Sequence, residues 1–166
     1  MKPEEKLYNY VSKVTNKLLE NVLKPDEKYD DVKQIDFEEL KRLIDKYDLQ
    51  GIILDIDGTL RQNMEKIDYR NIRWILKLKE LLKVCMVSNG KDERVENLAQ
   101  RMNIKYIPLA FKPLKRGFIE ATKDMGVDPS KVLVVGNEYL ADIFGGKRMG
   151  MKTAIIKDSQ EDEEER

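Results

Sequence analysis

The sequence contains no histidine and only one cysteine, Cys85. Without histidine, the chain cannot form a Cys/His zinc site or a nucleophile activated by imidazole, as in Ser-His-Asp enzymes. A single cysteine excludes an intramolecular disulfide. Any general acid or base must therefore be a carboxylate, lysine, tyrosine or cysteine.

An excess of charge of one sign is also absent. The 31 basic and 31 acidic residues cancel, so we expect no nucleic-acid partner. No apolar run approaches the roughly 18 residues that a membrane span needs. The first residues, MKPEEKLYNY, lack the apolar segment of a secretory signal. These absences predict a cytoplasmic protein.

Apolar residues recur at helical spacing near the N-terminus and predict an amphipathic helix over residues 2–24. The stripe consists of Leu7, Val11, Val14, Leu18 and Val22. A second helix is predicted from Asp36 to Tyr47, so residues 1–48 form a helical segment packed on or tethered to the rest. Because lysines flank the stripe, a peripheral membrane contact through residues 2–24 is the alternative to packing.

Five short apolar runs alternate with helical patterns in the remainder of the chain. The runs are GIILDI, KVCMVS, IKYIPL, KVLVVG and KTAIIK. Continuous apolar runs are typical of strands buried on both faces. Residues 49–158 are therefore predicted to form one α/β domain, with a doubly wound, Rossmann-like, five-stranded parallel sheet. The acidic residues 159–166 are predicted to be a disordered tail.

Polar residues follow the predicted strands at the edge where such sheets bind ligands. They are Asp55, Asp57 and Thr59 after the first strand, Ser88 and Asn89 after the second, Lys112 after the third, and Asn137, Glu138 and Asp142 after the fourth. This set suits phosphoryl transfer. One carboxylate can attack phosphorus and another can move protons, while Mg²⁺ and Lys112 offset negative charge.

Four segments together resemble the motifs of the haloacid dehalogenase (HAD) superfamily. DIDGTL resembles the first motif, DxDGT, and VSNG, FKP and GNEYLAD resemble the second, third and fourth, in the family's order. LKPDEKY and DIFGGKRMGMKT further resemble the YqeG branch, which is similar to the phosphatidylglycerophosphate phosphatases. The resemblance implies a HAD-like fold and a phosphatase acting through an aspartyl-phosphate.

The resemblance also implies roles for individual residues. Asp55 is expected to be the nucleophile and Asp57 the acid/base. The residues expected to bind the substrate phosphate are Thr59, which also supports the loop, Ser88, Asn89 and Lys112. The residues expected to hold Mg²⁺ are Asp55, Asp57, Asn137 and Asp142.

Two departures from the family pattern affect these expectations. The fourth motif begins Gly136-Asn137 where Gly-Asp is usual, so a neutral amide replaces a charged ligand and we expect weaker Mg²⁺ binding, unless Glu138 compensates. No segment is long enough for a cap domain, so we expect an open crevice that suits a large substrate, such as the headgroup of phosphatidylglycerophosphate. The alternatives are a phosphatase of a protein, nucleotide or sugar phosphate, and a scaffold protein with little or no activity.

Overall fold

The computed structural model describes residues 1–157, so the predicted acidic tail lies outside the described residues. The strands are β1 (Glu27–Tyr29), β2 (Gly51–Leu54), β3 (Lys83–Val87), β4 (Lys105–Ile107), β5 (Val132–Gly136) and β6 (Lys152–Ile156). The helices are α1 (Pro3–Leu19), α2 (Phe37–Tyr47), α3 (Tyr69–Leu81), α4 (Glu93–Met102), α5 (Lys115–Met125) and α6 (Gly145–Arg148). A π-helix, Tyr139–Phe144, runs directly into α6.

The six strands form one parallel sheet in the order β1-β6-β5-β2-β3-β4. The predicted fold class is confirmed, but the predicted number of five strands is wrong. The missed strand is β1, which has the polar sequence Glu-Lys-Tyr and pairs with β6 at the edge of the sheet. An edge strand of three residues buries too little side chain to need an apolar run, so its sequence resembles a loop.

Helices cover both faces of the sheet, which explains why the inner strands are apolar throughout. All residues of β2 and β5 are buried. Leu43, Trp74 and Ile75 pack in the core on one face, and Phe118 and Met125 pack in the core on the other. Burial of both strand faces removes the polar/apolar alternation that a half-exposed sheet would show.

The order in which successive strands are added to the sheet reverses between β2 and β5. From β2 the chain proceeds to β3 and β4, and it then crosses back to β5 and β6 on the other side of β2. Ile53 of β2 pairs with Cys85 of β3 and with Val134 of β5. The loops that follow β2 and β5 diverge at this point, which leaves a crevice at the carboxyl ends of the strands.

Helix α1 differs from the other long helices because none of its residues is buried. It ends at Leu19, five residues before the predicted end at Lys24. The five residues of its predicted apolar stripe are all exposed. In the part of the chain that the structure describes, no helix combines the length and apolarity required to cross a membrane.

Candidate active site

Asp55 lies directly after the central strand β2. Its backbone N–H donates to the Val135 carbonyl at 2.9 Å, which extends the pairing with β5 by one residue. The chain then turns at Gly58, whose φ is +82° and where a Cβ would lie 2.1 Å from Asn137 Nδ2. Glycine is required here because it tolerates a positive φ and because it has no Cβ to collide with Asn137. The turn returns Thr59 to Asp55, and the Thr59 hydroxyl donates to Asp55 Oδ2 at 3.0 Å.

Lys112 reaches the same carboxylate from the loop that follows β4. Its buried Nζ donates to Asp55 Oδ1 at 2.9 Å and to Asp142 Oδ1 at 2.7 Å. The Asn89 side chain holds the Lys112 backbone, because Oδ1 accepts from the Lys112 N–H at 2.6 Å and Nδ2 donates to the Lys112 carbonyl at 3.3 Å. The loops after β3 and β4 thus place one ammonium between two carboxylates.

The three charged groups leave an excess of buried negative charge. Burial raises the pKa of Asp55, as does the nearby Asp142 carboxylate, against the opposing effect of Lys112. Burial also raises the pKa of Asp142. Burial alone would lower the pKa of Lys112, but the Asp142 and Asp55 carboxylates outweigh it and raise that pKa above its ordinary value. All three shifts favour the protonated forms, and the two carboxylates keep Lys112 a charged ammonium.

Asp142 is held by the backbone of the loop after β5. Its Oδ2 accepts from the Glu138 N–H at 3.1 Å, while its Oδ1 accepts from Lys112. At Gly136, a Cβ would lie 2.2 Å from Asp142 Cγ, so a side chain there would displace the carboxylate. The π-helix that follows β5 positions the Asp142 carboxylate at the carboxyl end of that strand, in contact with Lys112.

Asp55 Oδ2, the Asp57 carbonyl oxygen and the side-chain amide of Asn137 lie close together. In one orientation of the Asn137 amide, its nitrogen donates to Asp55 Oδ2 at 2.9 Å and to the Asp57 carbonyl at 3.1 Å. In the other orientation, the amide oxygen occupies this position and accepts from the Thr59 hydroxyl at 3.4 Å. Oxygens at this separation need a proton or a cation between them. The predicted metal set is brought together only in part, because Asp142 directs its oxygens to Lys112 and Glu138.

Ser88 and Asp57 face the crevice from two different loops. Ser88 is buried after β3, and its Oγ accepts from the Gly90 N–H at 3.1 Å. This contact uses an acceptor position and leaves the hydroxyl hydrogen able to donate. Asp57 is half-buried and lines the same cavity. Both side chains are therefore available to a substrate beside Asp55.

Arg61 is a site residue that the sequence interpretation missed. Its buried guanidinium donates from Nε to Asp57 Oδ1 at 2.9 Å and from Nη1 to Asp92 Oδ2 at 2.7 Å. Arg94 and Arg61 together hold the pKa of Asp92 well below its usual range. A single arginine after DIDGTL is indistinguishable from a surface residue in the sequence, because its second partner lies on another loop.

A cavity of about 770 Å³ contains the site. From the loops at the strand ends it is lined by residues that include Asp55, Asp57, Ser88, Asn89 and Lys112. From α1 it is lined by Tyr8, Asn9, Val11, Ser12, Thr15 and Asn16. The expectation of an open crevice is therefore wrong on the side of α1. The sequence showed no inserted cap, but it did not show where the preceding helix would lie.

Comparisons with known proteins agree with this architecture. The haloacid dehalogenase-like hydrolase family matches residues 64–150. The chain is 31% identical over 141 residues to the protein named "Probable phosphatase YqeG" from Bacillus subtilis (strain 168), and the match covers 84% of this chain and 80% of that relative.

Two solved structures share the fold at low sequence identity. A predicted HAD-like family hydrolase from Porphyromonas gingivalis has a TM-score of 0.55 at 14% identity, over 67% of this chain and 92% of that one. A HAD family enzyme from Bacteroides thetaiotaomicron, solved as a magnesium complex, has a TM-score of 0.55 at 13% identity, over 67% and 94% of the two chains. The chain therefore belongs to the haloacid dehalogenase-like hydrolases, the family that its four motifs predicted.

Proposed function

We propose that this phosphatase hydrolyses phosphomonoesters through an aspartyl-phosphate on Asp55. The carboxylate attacks phosphorus and the ester P–O bond breaks, while the leaving oxygen takes a proton from Asp57. Water then attacks the aspartyl-phosphate and gives a proton to Asp57, which releases inorganic phosphate and restores Asp55. The observation that carries the proposal is the buried Lys112 ammonium, 2.9 Å from Asp55 Oδ1 at the end of the central strand.

Lys112 and Ser88 are suited to bind the phosphoryl group. The ammonium is fixed by two carboxylates and by the Asn89 contacts to its backbone, so it needs little rearrangement to meet a phosphoryl oxygen. The Ser88 hydroxyl retains its hydrogen for donation into the cavity. Donors that are already in place stabilise the charge that develops on transfer. We assign Thr59 and Asn89 to supporting Asp55 and Lys112 around that phosphoryl group.

Asp57 is suited to proton transfer because Arg61 orients it. The Arg61 guanidinium bonds to Oδ1 of Asp57, so the second carboxylate oxygen is left for the leaving group and the water. Asp57→Asn keeps the shape and removes the proton donor. We expect turnover of an alkyl phosphate to fall by about 10²–10⁴-fold, and turnover of an aryl phosphate to fall less because its leaving group needs no proton. The measurement is the ratio of the two rates.

The control for Asp57 is Asp45→Asn, which changes an exposed acid on α2. It should leave both rates at the wild-type level. Equal losses on the aryl and alkyl phosphates in Asp57→Asn would contradict the acid/base assignment.

The oxygen cluster beside Asp55 fits Mg²⁺. Adjacent ligands around octahedral Mg²⁺ lie roughly 3 Å apart, since each bond is about 2.0–2.1 Å. When the Asn137 amide turns its oxygen to this position, the separations of 2.9 and 3.1 Å to Asp55 Oδ2 and the Asp57 carbonyl match this spacing. Asp55, the Asp57 carbonyl and Asn137 would hold the ion, and Asp142 would add negative charge behind them. When bound, Mg²⁺ offsets repulsion between the phosphate and the Asp55 carboxylate.

The substrate that suits this site best is a phosphorylated headgroup at a membrane surface, such as that of phosphatidylglycerophosphate. The cavity has the volume of a site for a small organic group. Beside it, α1 exposes apolar side chains that include Leu7, Tyr10 and Leu18. Lysines near these residues would gain roughly 1 kcal/mol each from an anionic surface. Residues 2–24 would then rest on the cytoplasmic face of a membrane.

Turnover of a substrate panel tests the proposal. The panel contains p-nitrophenyl phosphate, a sugar phosphate, a nucleotide, a phosphopeptide, and phosphatidylglycerophosphate in anionic vesicles. We expect activity that EDTA abolishes and Mg²⁺ restores, with the highest kcat/KM on the vesicle substrate.

Asn137→Asp should lower the Mg²⁺ concentration that gives half-maximal activity, because a charged oxygen binds the ion more tightly.

Each other result of the panel has a defined meaning. Preference for the sugar phosphate, nucleotide or phosphopeptide would replace the lipid substrate and keep the mechanism. No turnover of any compound at saturating Mg²⁺ would contradict the phosphatase mechanism and favour a scaffold protein. If the protein does not bind anionic vesicles at low salt, that result would exclude the membrane contact.

A further inference from the structure

Helix α1 presents a row of polar side chains to the catalytic cavity. Tyr8, Ser12 and Asn16 are spaced four residues apart, so they lie along one face of the helix. All three line the cavity that contains Asp55 and Lys112. This face of α1 therefore forms one wall of the cavity, facing the residues at the strand ends.

Two of these residues attach α1 to the loop that follows β5. The Ser12 hydroxyl donates to Glu138 Oε1 at 3.0 Å. The Tyr139 backbone N–H donates to Asn16 Oδ1 at 2.8 Å. Since no residue of α1 is buried, the helix adds little apolar burial to the core. Its contacts are concentrated at the site, which indicates a role in binding more than in folding.

Tyr8 occupies the end of the row nearest to the phosphate-binding residues. It lines the cavity together with Asn89, whose side-chain amide holds the Lys112 backbone. Burial and the Glu138 carboxylate raise the pKa of Tyr8 above its ordinary value, so the phenol stays protonated at neutral pH. It can therefore donate a hydrogen bond to an oxygen in the cavity. The ring itself remains largely exposed, with room for a ligand beside it.

We infer that α1 is a cap made from the N-terminal segment, and that Tyr8 is its specificity-determining residue. The Tyr8 hydroxyl donates to a polar oxygen in the alcohol half of the phosphomonoester, while Lys112 and Ser88 hold the phosphate half. The inference rests on the proposed phosphatase function and names the residue that selects the alcohol half of the substrate. Phosphates of polyols and of glycerol-like headgroups carry such an oxygen near the phosphorus, and simple aryl phosphates do not.

Competitive inhibition of p-nitrophenyl phosphate hydrolysis tests this inference with the full-length protein and Mg²⁺. The two inhibitors are glycerol 3-phosphate, which has the alcohol half, and inorganic phosphate, which lacks it. In Tyr8→Phe we expect the inhibition constant of glycerol 3-phosphate to rise about 3–10-fold, as for loss of one hydrogen bond. The inhibition constant of inorganic phosphate should stay within about twofold, because inorganic phosphate lacks the group that Tyr8 contacts.

The matched control is Tyr10→Phe. Tyr10 lies on the same helix, is exposed, and is not among the described residues that line the cavity, so both inhibition constants should keep their wild-type values. The double variant Ser12→Ala/Asn16→Ala removes the two hydrogen bonds that join α1 to Glu138 and Tyr139. It should weaken glycerol 3-phosphate binding in the same direction as Tyr8→Phe, with an unchanged melting temperature.

Three results would overturn the inference while leaving the phosphatase intact. In the first, Tyr8→Phe behaves like Tyr10→Phe. In the second, Tyr8→Phe weakens both inhibitors equally, which would place its hydroxyl on the phosphate half. In the third, the wild-type protein binds glycerol 3-phosphate no better than inorganic phosphate. Absence of aryl phosphatase activity in the wild-type protein would instead contradict the proposed function, and this inference with it.

Discussion

Replacing Asp55 by Asn is expected to reduce phosphomonoester hydrolysis to background, on the order of 10⁴-fold or more. The amide has nearly the shape of the carboxylate but cannot attack phosphorus. The fold should survive, because Lys112 keeps its contact with Asp142 and the Thr59 hydroxyl can still donate to the amide oxygen. Initial rates with p-nitrophenyl phosphate and Mg²⁺, together with a melting curve, measure the two effects separately.

Asp45→Asn is the matched control for this substitution as well. It makes the same chemical change at an exposed position on α2, and it should preserve full activity. Substantial turnover by a folded Asp55→Asn protein would exclude the covalent mechanism and favour direct attack by water on the substrate.

Lys112→Met is expected to lower both activity and stability. Without the ammonium, a phosphoryl group loses its buried cationic partner, and we expect kcat to fall by on the order of 10²–10³-fold. Asp55 and Asp142 are also left close together in a buried place with no counter-charge. Removing one partner of a buried ion pair typically lowers the free energy of unfolding by about 3–5 kcal/mol. Urea unfolding near neutral pH measures the loss.

The destabilisation by Lys112→Met should depend on pH. Burial raises the pKa of Asp55 and Asp142 even when Lys112 is present, and removal of the ammonium should raise both pKa values further. A carboxyl group with a raised pKa stabilises the folded state at low pH, and this contribution is lost as the pH rises through that pKa. The difference from wild type should therefore be largest near about pH 8 and shrink toward about pH 5.

The control for Lys112 is Lys115→Met, at an exposed position three residues further along the chain. It should change neither activity nor stability appreciably. A Lys112→Met protein as stable as wild type at neutral pH would show that the three charged groups are not mutually buried as described.

The HAD-like fold was predictable because each inner strand is buried on both faces and therefore forms an apolar run that the sequence displays. The edge strand β1 was not predictable, since it pairs on one side only and its three residues are polar or half-buried. The same logic applies to the catalytic loops. Asp55 and Ser88 follow apolar strands directly and Lys112 lies in the loop after the next strand, so parallel strands bring all three to a common edge of the sheet.

The partners of the site residues were harder to predict. Arg61 contacts Asp92 across 31 positions of sequence, and Asp142 directs its oxygens to Lys112 and the Glu138 N–H. Such contacts depend on how two loops approach each other, and no periodic pattern records that distance. The sequence identified most of the chemically active residues, but the geometry among them came from the loops after β2, β3, β4 and β5.

The sequence alone determined the family, the parallel α/β architecture and the acidic residue that follows the central strand, because motif order and burial patterns are local properties of the chain. Only the tertiary structure decided the position of α1. An amphipathic pattern predicts a helix but does not specify which surface the helix covers, since that depends on a few polar contacts, such as Ser12 with Glu138. Those contacts place Tyr8 in the wall of the cavity that also contains Asn89 and Lys112, so α1 borders the crevice on one side.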